Sequence, residues 1–548
     1  MAGRDRFGCG GMWAWSRLGL PFALLLALSV LARPAAAQAT AYVPALDPAY
    51  ADLDVLMSAG LVRDVMAGER PYSRAAFRRF VEEAGRRLET DPGSPRLAEA
   101  LERLTRRFAA DADGRPSTPV RPTPVRVDLV AARSPYRAMR GGEAPSHLDA
   151  SLNPLLQRNQ GRIYDDGATA ALEAGLDLEA GHMAGSFVPR AYLGVPRGPG
   201  GAHAEANVLS AYARAVVGPV ALDVGRNNVT LGFGLDGGPM LSNNARGLDM
   251  VRLAADRPVR LPGPLSALGL WQASMAVADM GNDRDVPGAK LTVMRLSGRP
   301  SRYVEFGVNY LNLQGGEGAP AASFGERLRD LFLFWQDGGY LRISDKVAGA
   351  DLRISVPQAR SALYVNFLTT DDRGRFQQPA GGYWEDAIWL VGAEALGLGA
   401  DGRTDVHVEW RHIGPRPHTH HQFTSGMTVD DRVFGDPLGP NAVGVTGGVD
   451  WTGPDARVRV TGAWERYSGD DFYWALIPGG GPWDFDWYRR ADNPDEVRAR
   501  LMVEYLRFAG WRELETSVRL GYEHVTRFAY TDANRNNVLA RLSLRYLW

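Results

Sequence analysis

Apolar and polar residues alternate along most of this chain beyond residue 125, and the clearest run is the last one. Counting back by twos from Trp548 gives Tyr546, Leu544, Leu542, Ala540 and Val538, with Arg545, Ser543 and Arg541 between them. A period of two puts the two sets on opposite faces of one strand. The same pattern recurs upstream. Leu172, Ala174, Leu176 and Leu178 oppose Glu173, Asp177 and Glu179. Thr404, Val406, Val408 and Trp410 oppose Asp405, His407, Glu409 and Arg411, and Val458, Val460 and Trp464 oppose Arg457, Arg459 and Glu465. Val497, Leu501, Val503 and Tyr505 oppose Arg498, Arg500 and Glu504. Leu514, Val518, Leu520 and Tyr522 oppose Glu513, Glu515, Arg519 and Glu523. A soluble sandwich would turn the charged face outward; a membrane barrel would turn it inward. One strand alone does not decide between them.

Connection lengths help to decide. Short connections fall near 181–185, 218–219, 297–300, 357–359, 399–402, 452–454 and 509–510, with a medium one at 257–267. Longer stretches alternate with them: 134–168, 196–202, 227–247, 281–288, 315–346, 371–385, 414–440, 469–495 and 527–534. Short turns at one end and long loops at the other are the asymmetry of outer-membrane barrels, and the spacing gives about 18 antiparallel strands. The final aromatic residue resembles the terminal signal that barrel assembly machinery reads. Within 326–343 the pattern suggests a loop carrying a short amphipathic helix, with Leu328, Leu331 and Phe332 as its apolar side.

Before residue 123 the period is helical. Leu53, Leu56 and Met57 mark a first helix in 48–61. Ser73 is placed to cap a second over 75–88, with Phe77, Phe80, Val81 and Ala84 on one side. Pro95 opens a third, with Leu97, Leu101, Leu104 and Phe108 as its stripe. Pro116, Pro119, Pro122 and Pro124 then read as a linker. The expected fold is an all-β transmembrane β-barrel with a small N-terminal α-helical periplasmic domain.

Composition sharpens the address. Arg4, Arg6 and Arg17 precede an apolar run from Leu18 to Leu31, followed by Ala35-Ala36-Ala37, the plan of a signal peptide cleaved after Ala37. The expected division is 1–37 signal peptide, 38–122 periplasmic helical domain and 123–548 outer-membrane barrel. Cys9 is the only cysteine, and it lies in the signal segment ahead of the apolar run. A disulfide, a thiol nucleophile and a lipoprotein anchor are therefore not expected in the mature chain. Formal net charge is −1, with both signs interspersed, which gives nucleic acid no concentrated basic surface.

The segment Val224-Gly-Arg-Asn-Asn-Val-Thr-Leu-Gly-Phe-Gly-Leu-Asp-Gly-Gly-Pro-Met-Leu-Ser-Asn-Asn-Ala-Arg246 resembles the capsule assembly Wzi-type outer-membrane proteins. Gly225-Arg226, the glycine-rich turn with Gly232 and Gly234, and Leu241-Ser242-Asn243-Asn244-Ala245-Arg246 carry the likeness. Arg260 to Leu265 and Ile343 to Arg353 extend it. Leu231-Gly232-Phe233-Gly234 stands where the family often has Trp-Gly-Pro-Gly. The resemblance implies an 18-stranded barrel preceded by periplasmic helices. It also implies a lectin-like role that retains capsular or other surface polysaccharide, with no enzymatic reaction and no cofactor.

Sugar recognition needs aromatic faces for ring C–H groups and polar groups for hydroxyls. One long loop offers Tyr383 and Trp384 beside Arg373 and Arg375. Another offers Tyr473, Trp474, Trp483, Trp487 and Arg489. An aromatic girdle or loop packing is the plainer reading of any single one of them. Gly232 to Gly237 formally matches a dinucleotide-binding pattern, but no helix or βαβ unit follows, so a flexible turn is expected. His418, His420 and His421 could bind a metal ion together with His412, but a loop rich in Pro and His is more often simply solvated, and no metal is expected. Asp532, Asn534 and Asn536 lack the glycine and the acid that a calcium loop needs. Inward-facing Glu173, Asp177, Arg457, Arg459, Arg498 and Arg500 suit either a solute path or a cross-linked lumen. Two other functions stay open: a porin-type channel for ions or small saccharides, and an outer-membrane hydrolase, for which no nucleophile motif stands out. Expected partners are polysaccharide, outer-membrane lipids and the assembly machinery, with the protein a monomer.

Overall fold

The computed structural model describes residues 39–90, 93–108, 119–133, 137–138, 151–198, 200–235, 237–332, 343–370, 386–420, 422–476, 479, 485–490, 493–508 and 513–548. Residues 1–37, expected to be a signal peptide, lie outside them. Among the described residues no helix is long and apolar enough to cross a membrane.

Eighteen antiparallel strands close into a barrel. They are β1 (Val120–Pro122 continuing as Val125–Arg133), β2 (Gly167–Glu173 continuing as Leu176–Ala180), β3 (Met183–Pro196), β4 (His203–Val217), β5 (Val220–Asn227), β6 (Leu248–Ala255), β7 (Leu270–Asp279), β8 (Lys290–Arg299) and β9 (Val304–Gln314). The second half is β10 (Ser344–Val356), β11 (Ser361–Thr370), β12 (Ala387–Leu398), β13 (Thr404–Ile413), β14 (Ala442–Thr452), β15 (Ala456–Tyr467), β16 (Glu496–Arg507), β17 (Leu514–Thr526) and β18 (Arg535–Tyr546). Strand β18 pairs with β1 from Val538↔Arg133 to Tyr546↔Val125, so no sheet edge remains.

The barrel is inverted relative to a soluble protein. Leu172, Leu176 and Leu178 are each about half exposed, whereas Glu173, Asp177 and Glu179 between them are buried. The terminal strand behaves alike: Val538 and Tyr546 face out, and Asn537, Arg541 and Ser543 are buried inside. Two expected boundaries move. Strand β8 runs on to Arg299, and the turn falls at 300–303, because Pro300 has no N–H to give the ladder. The barrel also begins earlier than residue 123. Val120–Pro122 pairs with Leu176–Leu178 at the rim, where a proline costs the ladder little.

The helical unit comprises α1 (Ala49–Ser58), α2 (Arg74–Thr90) and α3 (Pro95–Phe108). The Ser73 hydroxyl accepts from the Ala76 N–H, as its capping position requires. Leu53, Leu56, Phe77, Phe80, Leu97, Leu104 and Phe108 form one core, with Phe77 stacked on Phe108 at 4.6 Å. The unit is docked at the short-turn end of the barrel. Arg403 pairs with Glu99, Arg360 donates to Ser94 Oγ at 3.4 Å, and Arg103 donates to the Pro454 carbonyl at 3.4 Å. Asp52 sits among Arg96 at 3.1 Å, Arg103 at 2.8 Å and Arg457 of β15 at 3.7 Å.

Asp47 forms the other clamp, between Arg107 of α3 and Arg545 of β18. Burial alone would raise its carboxyl; the two guanidinium charges outweigh burial and hold it well below the usual aspartate range. A depressed carboxyl stabilises the folded state above its unfolded value, about 3.8, and that contribution is lost as pH falls below it. The helical unit should therefore stay docked at pH 5–7 and loosen on acidification below that value. At neutral pH, Asp47→Asn should cost about 1–3 kcal/mol, because Arg107 loses the Asp47 carboxylate while Arg545 keeps Glu515 at 2.9 Å. Limited proteolysis of the folded protein in detergent should then cut within 49–108 while sparing the barrel.

Candidate functional site

The long-loop end of the barrel is filled from within. The β5–β6 connection, 228–247, turns into the lumen, where Thr230–Leu231 pairs antiparallel with Glu69–Arg70 rising from the helical unit. Gly232 there has φ +94°, and an added Cβ would lie 2.5 Å from Asn366 Oδ1, so only glycine fits. Asn366 of β11 then clasps Phe233, accepting from its N–H at 2.9 Å and donating to its carbonyl at 2.8 Å. The Leu235 N–H donates to Glu409 of β13 at 2.7 Å. Leu231 is buried with Met240 and Leu241 in the main apolar cluster, and Phe233 with Tyr364 and Leu390 in another. The pattern expected as a flexible turn is thus a fastened loop.

The motif 242–246 staples three connections together. The Ser242 N–H donates to the Phe434 carbonyl at 2.9 Å, and its hydroxyl donates to the Gly435 carbonyl. The Asn244 side chain, fully buried, donates to the Val433 carbonyl at 2.8 Å and accepts from the Arg158 N–H at 3.2 Å. The carbonyls of Asn243 and Asn244 accept from Gln160 and Gly161 at 2.6 and 3.2 Å. Arg246 pairs with Asp249 and Asp430 at 3.2 and 2.6 Å, and Arg226 with Asp249 at 2.7 Å. Gly225 has φ +120° in β5, where an added Cβ would meet the Ala211 carbonyl at 2.2 Å. Gly234 lies close against Gly237 in the same turn. These eight motif residues build a plug from the segments around 158–161, 228–247 and 430–435.

Most of the inward charges singled out in the sequence are cross-links, whereas Asp177 faces the cavity described below. Arg162 pairs with Glu173 at 2.6 Å. Arg498 pairs with Glu496 at 2.8 Å and with Glu523 at 2.9 Å, while Arg500 pairs with Glu465 and Glu523. Arg295 and Asp351, both fully buried, form a two-pronged pair at 2.6 and 2.9 Å. One row crosses five adjacent strands in register: Asp450, Arg459, Glu504, Arg519 and Arg541. A cavity of about 670 Å³ remains, bounded by helical-unit residues such as Asp47 and Arg103 and by loop residues such as Asn159 and Asn228. Fifteen arginines and eight carboxylates line it, so its field is positive.

The sequence-derived sugar-binding residues divide three ways. Arg373, Arg375, Tyr383, Trp384 and Trp483 lie outside the described residues. Tyr473, Trp474, Trp487 and Arg489 belong to a two-stranded ribbon, Asp471–Leu476 with Phe485–Arg490, which extends beyond the ends of β15 and β16. Its register sets Trp474 opposite Trp487, Tyr473 opposite Tyr488 and Phe472 opposite Arg489. By the period of two, positions 472, 474, 487 and 489 share one ribbon face, and 473 and 488 the other. Sequence reasoning treated this stretch as a loop; the run Phe472-Tyr-Trp474 against Trp487-Tyr488 was the available sign of a hairpin.

The histidines are dispersed. His412 stacks on Trp410, His418 is buried, and His420 Nδ1 accepts from the Gln422 N–H at 3.2 Å; His421 lies outside the described residues. Burial pushes the His418 imidazole down to about 4, so it is neutral at physiological pH. Asn534 and Asn536 bond within their own hairpin, to the Arg527 N–H and to His524.

The family model for capsule assembly protein Wzi matches residues 137–538, and the chain belongs to this family. A similar solved structure is that of Wzi of Escherichia coli, described as an outer-membrane protein involved in group 1 capsule assembly and a carbohydrate-binding β-barrel. It aligns with a TM-score of 0.65 at 16% identity over 92% of this chain and 99% of that one. OccAB1 of Acinetobacter baumannii aligns with a TM-score of 0.41 at 10% identity over 78% and 97% of the two chains. Pseudomonas aeruginosa OccK11 (OpdR) aligns with 0.39 at 11% identity over 78% and 95%. These last two are too distant to bear on function. No curated protein sequence matches the chain. Family and fold together place the protein in the bacterial outer membrane.

The staple can be loosened without touching the barrel wall. Gly161 has φ +71°, and a methyl there would lie 2.5 Å from the Arg246 nitrogen. Gly161→Ala, and Asn244→Ala at a cost of about 1–3 kcal/mol, should speed amide hydrogen exchange in 154–164, 242–247 and 430–435. Exchange in β14 to β18 should not change.

Proposed function

We propose that this chain holds capsular or other surface polysaccharide at the outer face of the barrel, as a lectin-like platform and without covalent chemistry. The observation that carries this reading is the aromatic ribbon 471–490. It places Trp474 opposite Trp487 and Tyr473 opposite Tyr488, beyond the last strand pair of the wall, on the side where long loops meet the cell exterior. Aromatic faces of this kind suit ring C–H groups, and Arg489 on the same ribbon suits hydroxyls or acidic substituents. Tyr383, Trp384, Arg373 and Arg375, together with Trp483, belong to the proposed surface on the strength of the sequence alone. Carbohydrate binding in the E. coli relative and membership of the capsule-assembly family support the same role.

The filled lumen favours a platform over a porin, since infolded connections meet a docked helical unit within it. Many of the described lumen charges, such as Arg498 with Glu523, are engaged in ion pairs, which lends a hydrolase no support. In this reading 1–37 is removed on export, the helical segment that follows lies on the periplasmic side, and the chain from Val120 onward forms the wall. Trp548 serves the assembly machinery, and the protein acts as a monomer.

The test is binding of the purified barrel to the host's surface glycan by titration or glycan array. Trp474→Ala with Trp487→Ala should weaken binding by about 2 kcal/mol, roughly 30-fold, with heat-modifiable migration of the barrel unchanged. Unaltered affinity in a correctly folded variant would refute the assignment.

A further inference from the structure

The connection between β9 and β10 carries a helix, α4 (Phe324–Leu331), that does not join the plug. Its position follows from the strands beneath it. Val277, Thr292, Asn312 and Lys346 are in register across β7, β8, β9 and β10, and all four stand on the outer face of the wall, since Arg295 and Asp351 of the opposite parity face the lumen. Val277 is exposed there, but Thr292, Asn312 and Lys346 are buried. Lys346 Nζ donates to Asp330 Oδ1 at 2.7 Å, and Asn312 Nδ2 donates to Asp330 Oδ2 at 3.1 Å. Asp330 belongs to α4, so the helix lies against the outside of the barrel.

The height of the helix is marked by its neighbours. One outward step above this row, Asp279 and Lys290 form an ion pair at 2.6 Å with both side chains about half exposed, as befits water. One step below, Met275, Met294 and Tyr310 stand in register, the composition of a girdle at the edge of hydrocarbon. The helix thus sits where headgroups meet acyl chains.

Its orientation is fixed at both ends. The Ser323 hydroxyl accepts from the Glu326 N–H at 3.3 Å, and Glu326 accepts from the Ser323 N–H at 2.7 Å, a reciprocal cap. Leu331 is buried. The sequence pattern grouped Leu331 with Leu328 and Phe332, but the structure separates them: Phe324, Leu328 and Phe332 are 81%, 47% and 44% exposed. Their spacing of four residues makes one stripe, and Arg327 and Arg329 stand among them.

We propose that α4 is an interfacial foot that docks on the outer leaflet. Phe324, Leu328 and Phe332 enter the acyl-chain region, and Arg327 with Arg329 engages the phosphate groups of anionic lipid headgroups. Continuity with the lipid-facing wall, the height set by Asp279–Lys290 and the paired guanidiniums select a lipid surface over a second copy of the chain or a glycan.

Because Cys9 is the only cysteine and lies in the segment read as removed on export, site-directed nitroxide labelling of the exported protein meets no competing thiol. Exported protein carrying Leu328→Cys is labelled and reconstituted in vesicles of phosphatidylcholine, with or without phosphatidylglycerol; Val277→Cys serves as the wall control and Gly318→Cys as the water control. The label at 328 should collide with oxygen in preference to a water-soluble nickel chelate, as at 277, and sit deeper when anionic lipid is present. Adding Arg327→Gln and Arg329→Gln should abolish the dependence on anionic lipid. Chelate access equal to that at 318, dipolar broadening from a second copy, or depth indifferent to lipid charge before those substitutions would each overturn the proposal.

Discussion

A peptide group in hydrocarbon has no water to turn to, and this constraint governs everything else in the molecule. Every backbone donor and acceptor in the wall must be met by a neighbouring strand, which forces the sheet to close, as β18 does on β1. Closure splits each strand into a face for lipid and a face for the lumen. The same alternation that would bury Leu520 in a soluble sandwich exposes it, and Glu523 becomes fully buried. Charge inside such a wall is stable only when paired, so the lumen becomes a lattice of ion pairs. The two-pronged Arg295–Asp351 pair and the register row from Asp450 to Arg541 are its members.

That lattice lets loops and helices fill the interior. A segment entering the lumen meets carboxylates, guanidiniums and amides already oriented on the wall, and it can satisfy its own backbone groups there. Asn366 does this for Phe233 and Glu409 for Leu235. Glu305 does it for Ala67 and Gly68, rising from the helical unit. The plug is thereby pinned from both ends, with Glu69–Arg70 and Thr230–Leu231 as the joint between them. A molecule organised this way presents a rigid outer platform, on which the ribbon 471–490 and the surrounding loops stand.

The wall was legible in the sequence because its rule is local. A period of two, read strand by strand, set Leu172 and Glu173 on opposite faces, and the alternation of short and long connections supplied the strand number and favoured lipid on the apolar side. Helices α2 and α3 were equally plain, since Ser73 and Pro95 mark their starts. The plug was not legible. Ser242, Asn243 and Asn244 could be recognised as a motif, but their role depends on carbonyls at Val433, Phe434 and Gly435, far along the chain. Periodicity carries no information about such contacts. Gly232 looked like part of a flexible turn, and its actual duty, close approach to Asn366, belongs to the tertiary structure, as does the close approach of Gly161 to Arg246. Helix α4 was anticipated, but its two apolar directions were not, because Leu331 and Leu328 look alike until the wall beneath them is known.

The central claim is that paired charge and infolded chain fill the lumen, making the barrel a platform for polysaccharide and not a conduit. Single-channel recording of the purified protein in planar bilayers addresses it most directly. The account predicts no steady current step across a range of voltages and salts. A stable ohmic step that scales with the conductivity of the bathing salt would contradict it.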